Sequence, residues 1–289
     1  MALRGKKAEA VEKRLKCLFY GVAGSGKTTA AISFPAPYVI DTERGSENSQ
    51  YLELIKKNGG ALFQTSDFNE LITEVKALLT EKHEYKTLVI DPLTTIYNDL
   101  LEHAAAKPTK DGSDPTAFGR HYNDANKQIK RLLSLLLRLD MNVIITSHAK
   151  NEYGNNMSVL GVTYDCYKKL DYLFDLVIEI KKIGLKRIGC ARKTRIATFE
   201  EGNDFEFSYE TIAQKYGKDI LEKAAVNEKL AEPGQIKEFQ RLVKLLKISD
   251  DQVDKALAKA NCASVYDMSY ERIEEAILNL QHKLEGKTE

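Results

Sequence analysis

Gly21, Val22, Ala23, Gly24, Ser25, Gly26, Lys27 and Thr28, followed by Thr29, place a lysine and a hydroxyl residue directly behind three glycines. This spacing suits a polyphosphate. Without side chains in the way, successive backbone N–H groups can turn inward around phosphate oxygens, Lys27 can reach the two outer phosphates, and the Thr28 hydroxyl can ligate Mg2+. The bare pattern arises by chance in roughly one chain of this length in a hundred. Here it also follows the apolar run Leu15 to Tyr20 and opens a helical stretch, the placement a phosphate cradle needs. ATP with Mg2+ is the expected occupant, and no guanine-selective NKxD string accompanies it, since Asn126-Lys127-Gln128-Ile129 lies inside an amphipathic segment.

A second carboxylate is expected at the end of another strand, to hold the metal through water. Asp91 closes the apolar run Thr87 to Ile90 and is that candidate. The next residue is Pro92, so a carboxylate that polarises the attacking water must come from elsewhere. Glu43, just past the run Tyr38 to Ile40 in the string VIDTERG, is the expected base, with Asp41 as its competitor.

These residues need a scaffold. Short apolar runs rich in branched residues (Leu15 to Tyr20, Tyr38 to Ile40, Ala61 to Gln64, Thr87 to Ile90, Asn142 to Thr146) alternate with helix-length segments. That order implies right-handed βαβ units and an α/β fold with a mainly parallel sheet buried on both faces. The segment Phe118 to Leu136 predicts a helix whose inward face includes Phe118, Tyr122, Ala125, Ile129, Leu132, Leu133 and Leu136. Lys107 to Thr116 and Asn151 to Val162 read as loops, and Tyr164 to Phe174 as helical. The runs Asp175 to Lys182 and Leu185 to Lys193, around Ile183 and Gly184, read as an edge hairpin. The core is expected over 1–222, a linker over 223–234 ending in Pro233-Gly234, and a small three-helix module over 235–289. The module should lean on the core or a partner, because it is too small to be stable alone.

With 43 Lys or Arg against 42 Asp or Glu, the chain has no overall field to attract polyanions, so any nucleic-acid contact needs local patches. Two exist: residues 1–16 carry six basic residues against two Glu, and residues 181–195 carry seven and no acid. Cys17, Cys166, Cys190 and Cys262 are far apart in sequence and form no CxxC pair, so they predict reduced, buried thiols rather than a zinc site. The start lacks the apolar stretch of a signal peptide and no run of about 18 apolar residues occurs, which predicts a cytoplasmic protein, bacterial or in a phage-infected host, with no membrane contact.

The combination GVAGSGKTT, VIDTERG, TLVIDPLT, IITSHAK and ARKTR resembles the phage RecA-like P-loop ATPases, including the Sak-type single-strand annealing and recombination proteins. The resemblance covers about residues 15 to 215. It implies that Glu43 is the catalytic carboxylate and that His148 stands where that family has a γ-phosphate-sensing glutamine. It also implies that Lys193 and Arg195, on one side of a strand, enter a neighbouring subunit's ATP site. The two loops then fall where RecA-like proteins bind DNA, with Lys107, Lys110, Arg120 and Lys150 as phosphate contacts and Tyr153 as a base-stacking residue. Implied partners are single-stranded DNA, further copies of the chain in a ring or filament, and a single-strand-binding protein for the helical tail. A hexameric helicase-like motor, a small-molecule kinase and a non-hydrolysing ATP-binding scaffold are the alternatives.

Overall fold

The computed structural model describes residues 12–108, 114–154, 158–260 and 262–285; Lys110 lies outside them. In chain order the elements are β1 (Lys16–Gly21), α1 (Lys27–Ile32), β2 (Pro37–Asp41), α2 (Ser49–Lys57), β3 (Ala61–Gln64), α3 (Phe68–Thr80), β4 (Thr87–Asp91) and α4 (Leu93–Ala106). Then follow α5 (Arg120–Arg138), β5 (Asn142–Tyr153), β6 (Val159–Tyr164), α6 (Leu170–Leu173), β7 (Leu176–Ile183), β8 (Lys186–Thr194) and β9 (Asp204–Glu206). The chain continues through α7 (Tyr209–Tyr216), α8 (Lys218–Glu222), α9 (Pro233–Leu245), α10 (Asp250–Lys259) and α11 (Tyr270–Glu285).

The sheet runs β3-β2-β4-β5-β1-β7-β8-β9, with β6 added to β5. Strands β1 to β5 and β7 are mutually parallel; β8 and β9 continue the sheet as an antiparallel edge. Alternate residues of each central strand face opposite layers. Leu18, Tyr20, Leu88, Ile90, Val143 and Ile145 pack under α3, α4 and α5, whereas Cys17, Phe19, Val39, Val89 and Ile144 pack against α1, α7 and α8. Burial on both faces is why these strands read as continuous apolar runs.

The edge hairpin forms as expected, turning through Gly184 at φ +60°. Three expectations fail. Helix α5 starts at Arg120, and Phe118 sits before it at φ +53° and 101 % exposed, with Tyr122 half out; the inward face begins only at Ala125. The segment expected as a loop over 151–162 is largely a second hairpin, because β5 runs on to Tyr153 and β6 returns from Val159. The helical reading of 164–174 shrinks to the single turn of α6, since Tyr164 still belongs to β6. Polar, glycine-containing sequence hid the hairpin, whose strands project beyond the buried sheet and so carry no continuous apolar run.

Beyond the sheet, α9, α10 and α11 enclose their own cluster around Phe239, Leu242, Leu257, Met268 and Ile273. Pro233 occupies the first turn of α9, where its missing N–H costs nothing. The preceding segment is tied down at several points: Arg14 donates to the carbonyls of Lys223 and Ala224, and the Glu228 N–H donates to Leu79 O. Asp267, wholly buried, is held between Lys76 of α3 at 2.5 Å and Arg131 of α5 at 2.7 Å. The four cysteines are free and buried. Among the described residues no helix is long and apolar enough to cross a membrane.

Candidate nucleotide site

Parallel register assembles the site. Gly21 at the end of β1 stands beside His148 on β5, and Asp41 at the end of β2 stands beside Asp91 on β4. The carboxyl ends of β1, β2 and β4 and the middle of β5 therefore open into one cavity of about 490 Å³, lined by Gly21, Lys27, Thr28, Glu43, Asp91 and His148 among others. That volume lies in the range of small-molecule sites.

The loop from Gly21 to Gly26 has the backbone its glycines permit. Gly26 is at φ +92°, left-handed backbone that disfavours a side chain, and a Cβ on Gly21 would lie 2.3 Å from Ile180 O. Lys27 folds back on its own loop, donating to Gly21 O at 2.9 Å and Val22 O at 3.1 Å. Burial lowers its pKa, opposed by Asp91 and Glu43. Val22, Ala23 and Gly24 form the exposed rim of the loop, and the Ser25 hydroxyl is buried without a partner. Thr29 follows in the first turn of α1.

Asp91 is nearly enclosed, and burial pushes its carboxyl pKa up. Thr146 and Thr28 donate hydrogen bonds to it and, with Lys27, pull the pKa back toward the ionised range. A buried carboxylate bonded to the Thr28 hydroxyl is a donor pair that fits Mg2+. Among the described residues no group of three His, Cys, Asp or Glu could hold a metal alone, so an ion here would draw its remaining ligands from phosphate and water.

The two candidate carboxylates after β2 separate by geometry. Asp41 spends both oxygens on its own turn, accepting from the N–H groups of Glu43, Gly45 and Ser46 at 3.1, 3.2 and 2.7 Å. Glu43, half exposed on the cavity wall, accepts from Thr95 Oγ1 at 2.7 Å and lies 3.2 Å from His148 Nε2. The backbone of His148 is fixed in turn, its N–H donating to Thr94 Oγ1 at 3.0 Å. Thr95 went unnoticed in the sequence; its placement one turn beyond Asp91 on α4 is the only signal for it.

The sequence pattern of a family described as an AAA domain matches residues 13–215. The chain belongs to this family. The AAA domain match takes in all the cavity-lining residues above, and stops just before the end of α7. No curated protein matches the chain. Among solved structures, the crystal structure of the RadB recombinase is similar at a TM-score of 0.42 and 17 % identity, over 66 % of this chain and 86 % of that one.

The remaining expected residues lie elsewhere on this AAA domain. In register, Thr194 stands opposite Leu176, which is level with Cys17 at the start of β1. Lys193 and Arg195 are thus at the end of the sheet opposite this chain's own phosphate loop. Lys193 Nζ donates to Phe174 O; Arg195 donates to Tyr172 O at 2.5 Å and lies 3.7 Å from Asp175. Burial and the Arg195 charge lower the Lys193 pKa. Lys150 pairs with Asp165 at 3.0 Å, and Lys107 lies 4.0 Å from Asp124. Tyr153 is exposed at the end of β5, accepting from Asn151 at 3.3 Å, and Arg120 opens α5. None of these touches the cavity. The structure does bring to the phosphate loop a residue that sequence reasoning left undistinguished in a basic run, Arg187.

Proposed function

We propose that this chain is a Mg2+-dependent ATPase of RecA-like type that acts as an oligomer on single-stranded DNA, in recombination or strand annealing. The observation that carries the catalytic part is Glu43 Oε1, held by Thr95 and His148 on the wall of the cavity that Lys27, Thr28 and Asp91 share. A triphosphate seated in the loop has its terminal phosphate facing that wall. Thr28 and Asp91 would hold Mg2+, which would supply charge neutralisation on the phosphates. Lys27 exchanges its two loop carbonyls for phosphate oxygens. Glu43 orients a water in line and takes its proton as oxygen bonds to the γ-phosphorus and the bond to the bridging oxygen breaks, releasing ADP and phosphate. His148, against Glu43, is placed to register whether the terminal phosphate is present.

Support for the DNA part is continuity along one strand. β5 leads from His148 straight into the β5–β6 hairpin that carries Lys150 and Tyr153, so an event at Glu43 has a rigid path to an exposed aromatic ring. In this reading Lys193 and Arg195 act only in trans, leaving their carbonyl partners for a neighbour's phosphates. A single-strand-binding protein remains the proposed partner of α9 to α11.

Turnover with and without single-stranded DNA, in the wild type and in Glu43→Gln, tests the proposal. Loss of about 10²- to 10⁴-fold in kcat at unchanged nucleotide affinity is expected, the range for removing a general base. Unchanged kcat removes Glu43 from the chemistry. Mixing Arg195→Ala with Lys27→Ala subunits should restore part of the activity through hybrid sites; no rescue at any ratio ends the trans role. A fluorescence annealing assay on complementary oligonucleotides decides the DNA activity, and equal rates with and without protein sink it.

A further inference from the structure

On the far side of the phosphate loop from Glu43, the side chain of Arg187, the second residue of β8, lies directly on Gly26. A Cβ built on Gly26 would come within 2.2 Å of Arg187 Nε and 3.2 Å of its Cζ. This Nε is buried and has no hydrogen-bond partner. Of the other basic side chains on this hairpin, Lys186 pairs with Glu206 at 2.7 Å, and Lys181 and Arg192 with Glu179, whereas Lys182, directly across from Arg187, is another cation and offers it no acceptor. Among the described residues Arg187 has no carboxylate in ion-pair range.

A guanidinium in this position costs stability. It gives up solvent at Nε and gains no protein acceptor, and an orphaned buried donor costs about 1–3 kcal/mol. It also occupies the space that a side chain at position 26 would need, a position already kept to glycine by its φ of +92°. Such an arrangement makes sense if an anion completes it. We propose that Arg187 is a nucleotide-binding residue that holds the α-phosphate. The inference rests on the phosphate-loop reading above. With the terminal phosphate directed at Glu43 and Asp91, the loop encloses the middle of the triphosphate, so the α-phosphate and nucleoside leave on the opposite flank, where β8 brings Arg187. Lys27 and Arg187 then grip the polyphosphate from its two ends. Arginine suits this role because its planar fork can offer two N–H groups to one phosphate while staying charged beside Lys27.

The test is equilibrium binding of ATP, ADP, AMP and adenosine to the full chain with Mg2+, in wild type, Arg187→Met, Arg187→Lys, Lys186→Ala and Lys27→Ala. Arg187→Met should weaken ATP and ADP by roughly equal factors of about ten to a hundred, weaken AMP by a similar factor, and leave adenosine unchanged; kcat at saturating ATP should stay within about threefold of wild type. Arg187→Lys should recover most of the loss, and Lys186→Ala should bind as wild type does. GTP should suffer the same factor as ATP, because the contact is to phosphate and not to the base. Unchanged ADP affinity in Arg187→Met overturns the inference, as does a loss confined to ATP with a fall in kcat, which would place Arg187 at the terminal phosphate. If Arg187→Met does not fold, wild-type ADP affinity in Arg187→Gln overturns it equally. Should Lys27→Ala bind ATP as well as wild type, the phosphate-loop reading itself is wrong, an outcome separate from failure at Arg187 alone.

Discussion

The two ends of the parallel sheet both carry cations, buried at one end and partly exposed at the other, and they use them in opposite ways. At the amino end, Arg14 donates to Asp140 at 3.1 Å and to the carbonyls of Ile220, Lys223 and Ala224 at 2.6–2.7 Å. Next to it Lys16 donates to Leu139 O and Met141 O at 2.7 and 2.8 Å. Each of these groups is met by partners from distant parts of the chain, so they fasten the start of β1 to the end of α5 and to the segment after α8. At the carboxyl end the Ser25 hydroxyl and Arg187 Nε have no partner, and Lys27 is occupied only by carbonyls of its own loop. Saturated polar burial marks structure. Two unpartnered groups at one loop that already has the shape of a phosphate cradle point instead to a ligand that would complete them.

The contrast can be broken from either end. The largest effect is expected from Lys27→Ala, which should weaken ATP more than a hundredfold in a binding titration while leaving the melting temperature within about 2 °C, because its present acceptors are carbonyls that water can reach. A large loss of stability would assign it to the structural class instead. Arg14→Ala is the mirror image. Four acceptors lose their donor, so denaturant unfolding should show a loss of about 3 kcal/mol or more, with nucleotide affinity of the remaining folded protein unchanged.

A finer distinction comes from pH. Burial lowers the Lys16 pKa from 10.5 to about 7, with Asp140 opposing. Between those values the unfolded chain keeps a proton that the folded one has released, so stability should rise with pH from about 7 toward 10.5 and level off below 7. Comparing unfolding free energies of wild type and Lys16→Met across that window isolates the slope; parallel curves would refute it. The smallest effect belongs to Lys186→Ala, whose exposed pair with Glu206 should change stability by less than about 0.5 kcal/mol.

Much of this site was legible from residue order. The phosphate loop, the strand-terminal Asp91 and the α/β alternation are local patterns, each written within a dozen residues, and the structure places them as read. The choice between Asp41 and Glu43 was not legible, because both close the same strand; only the turn that consumes Asp41's oxygens separates them. The β5–β6 hairpin escaped because its strands leave the buried sheet and lose the apolar pattern that betrays strands. Phe118 misled for the converse reason, an aromatic at helical spacing that the backbone turns out to solvent.

The sequence alone determined what can bind: three glycines, a lysine and a threonine at fixed spacing impose a phosphate cradle wherever a strand and a helix flank them. Tertiary structure decided which of the many charges face it. Lys193, Arg195 and Arg187 share one basic run, but β8 runs antiparallel to β7. That reversal carries the first two to the far end of the sheet and lays Arg187 on Gly26, because the docking of the hairpin beside β1, a long-range pairing that no short stretch of sequence encodes, fixes which end of β8 meets the site.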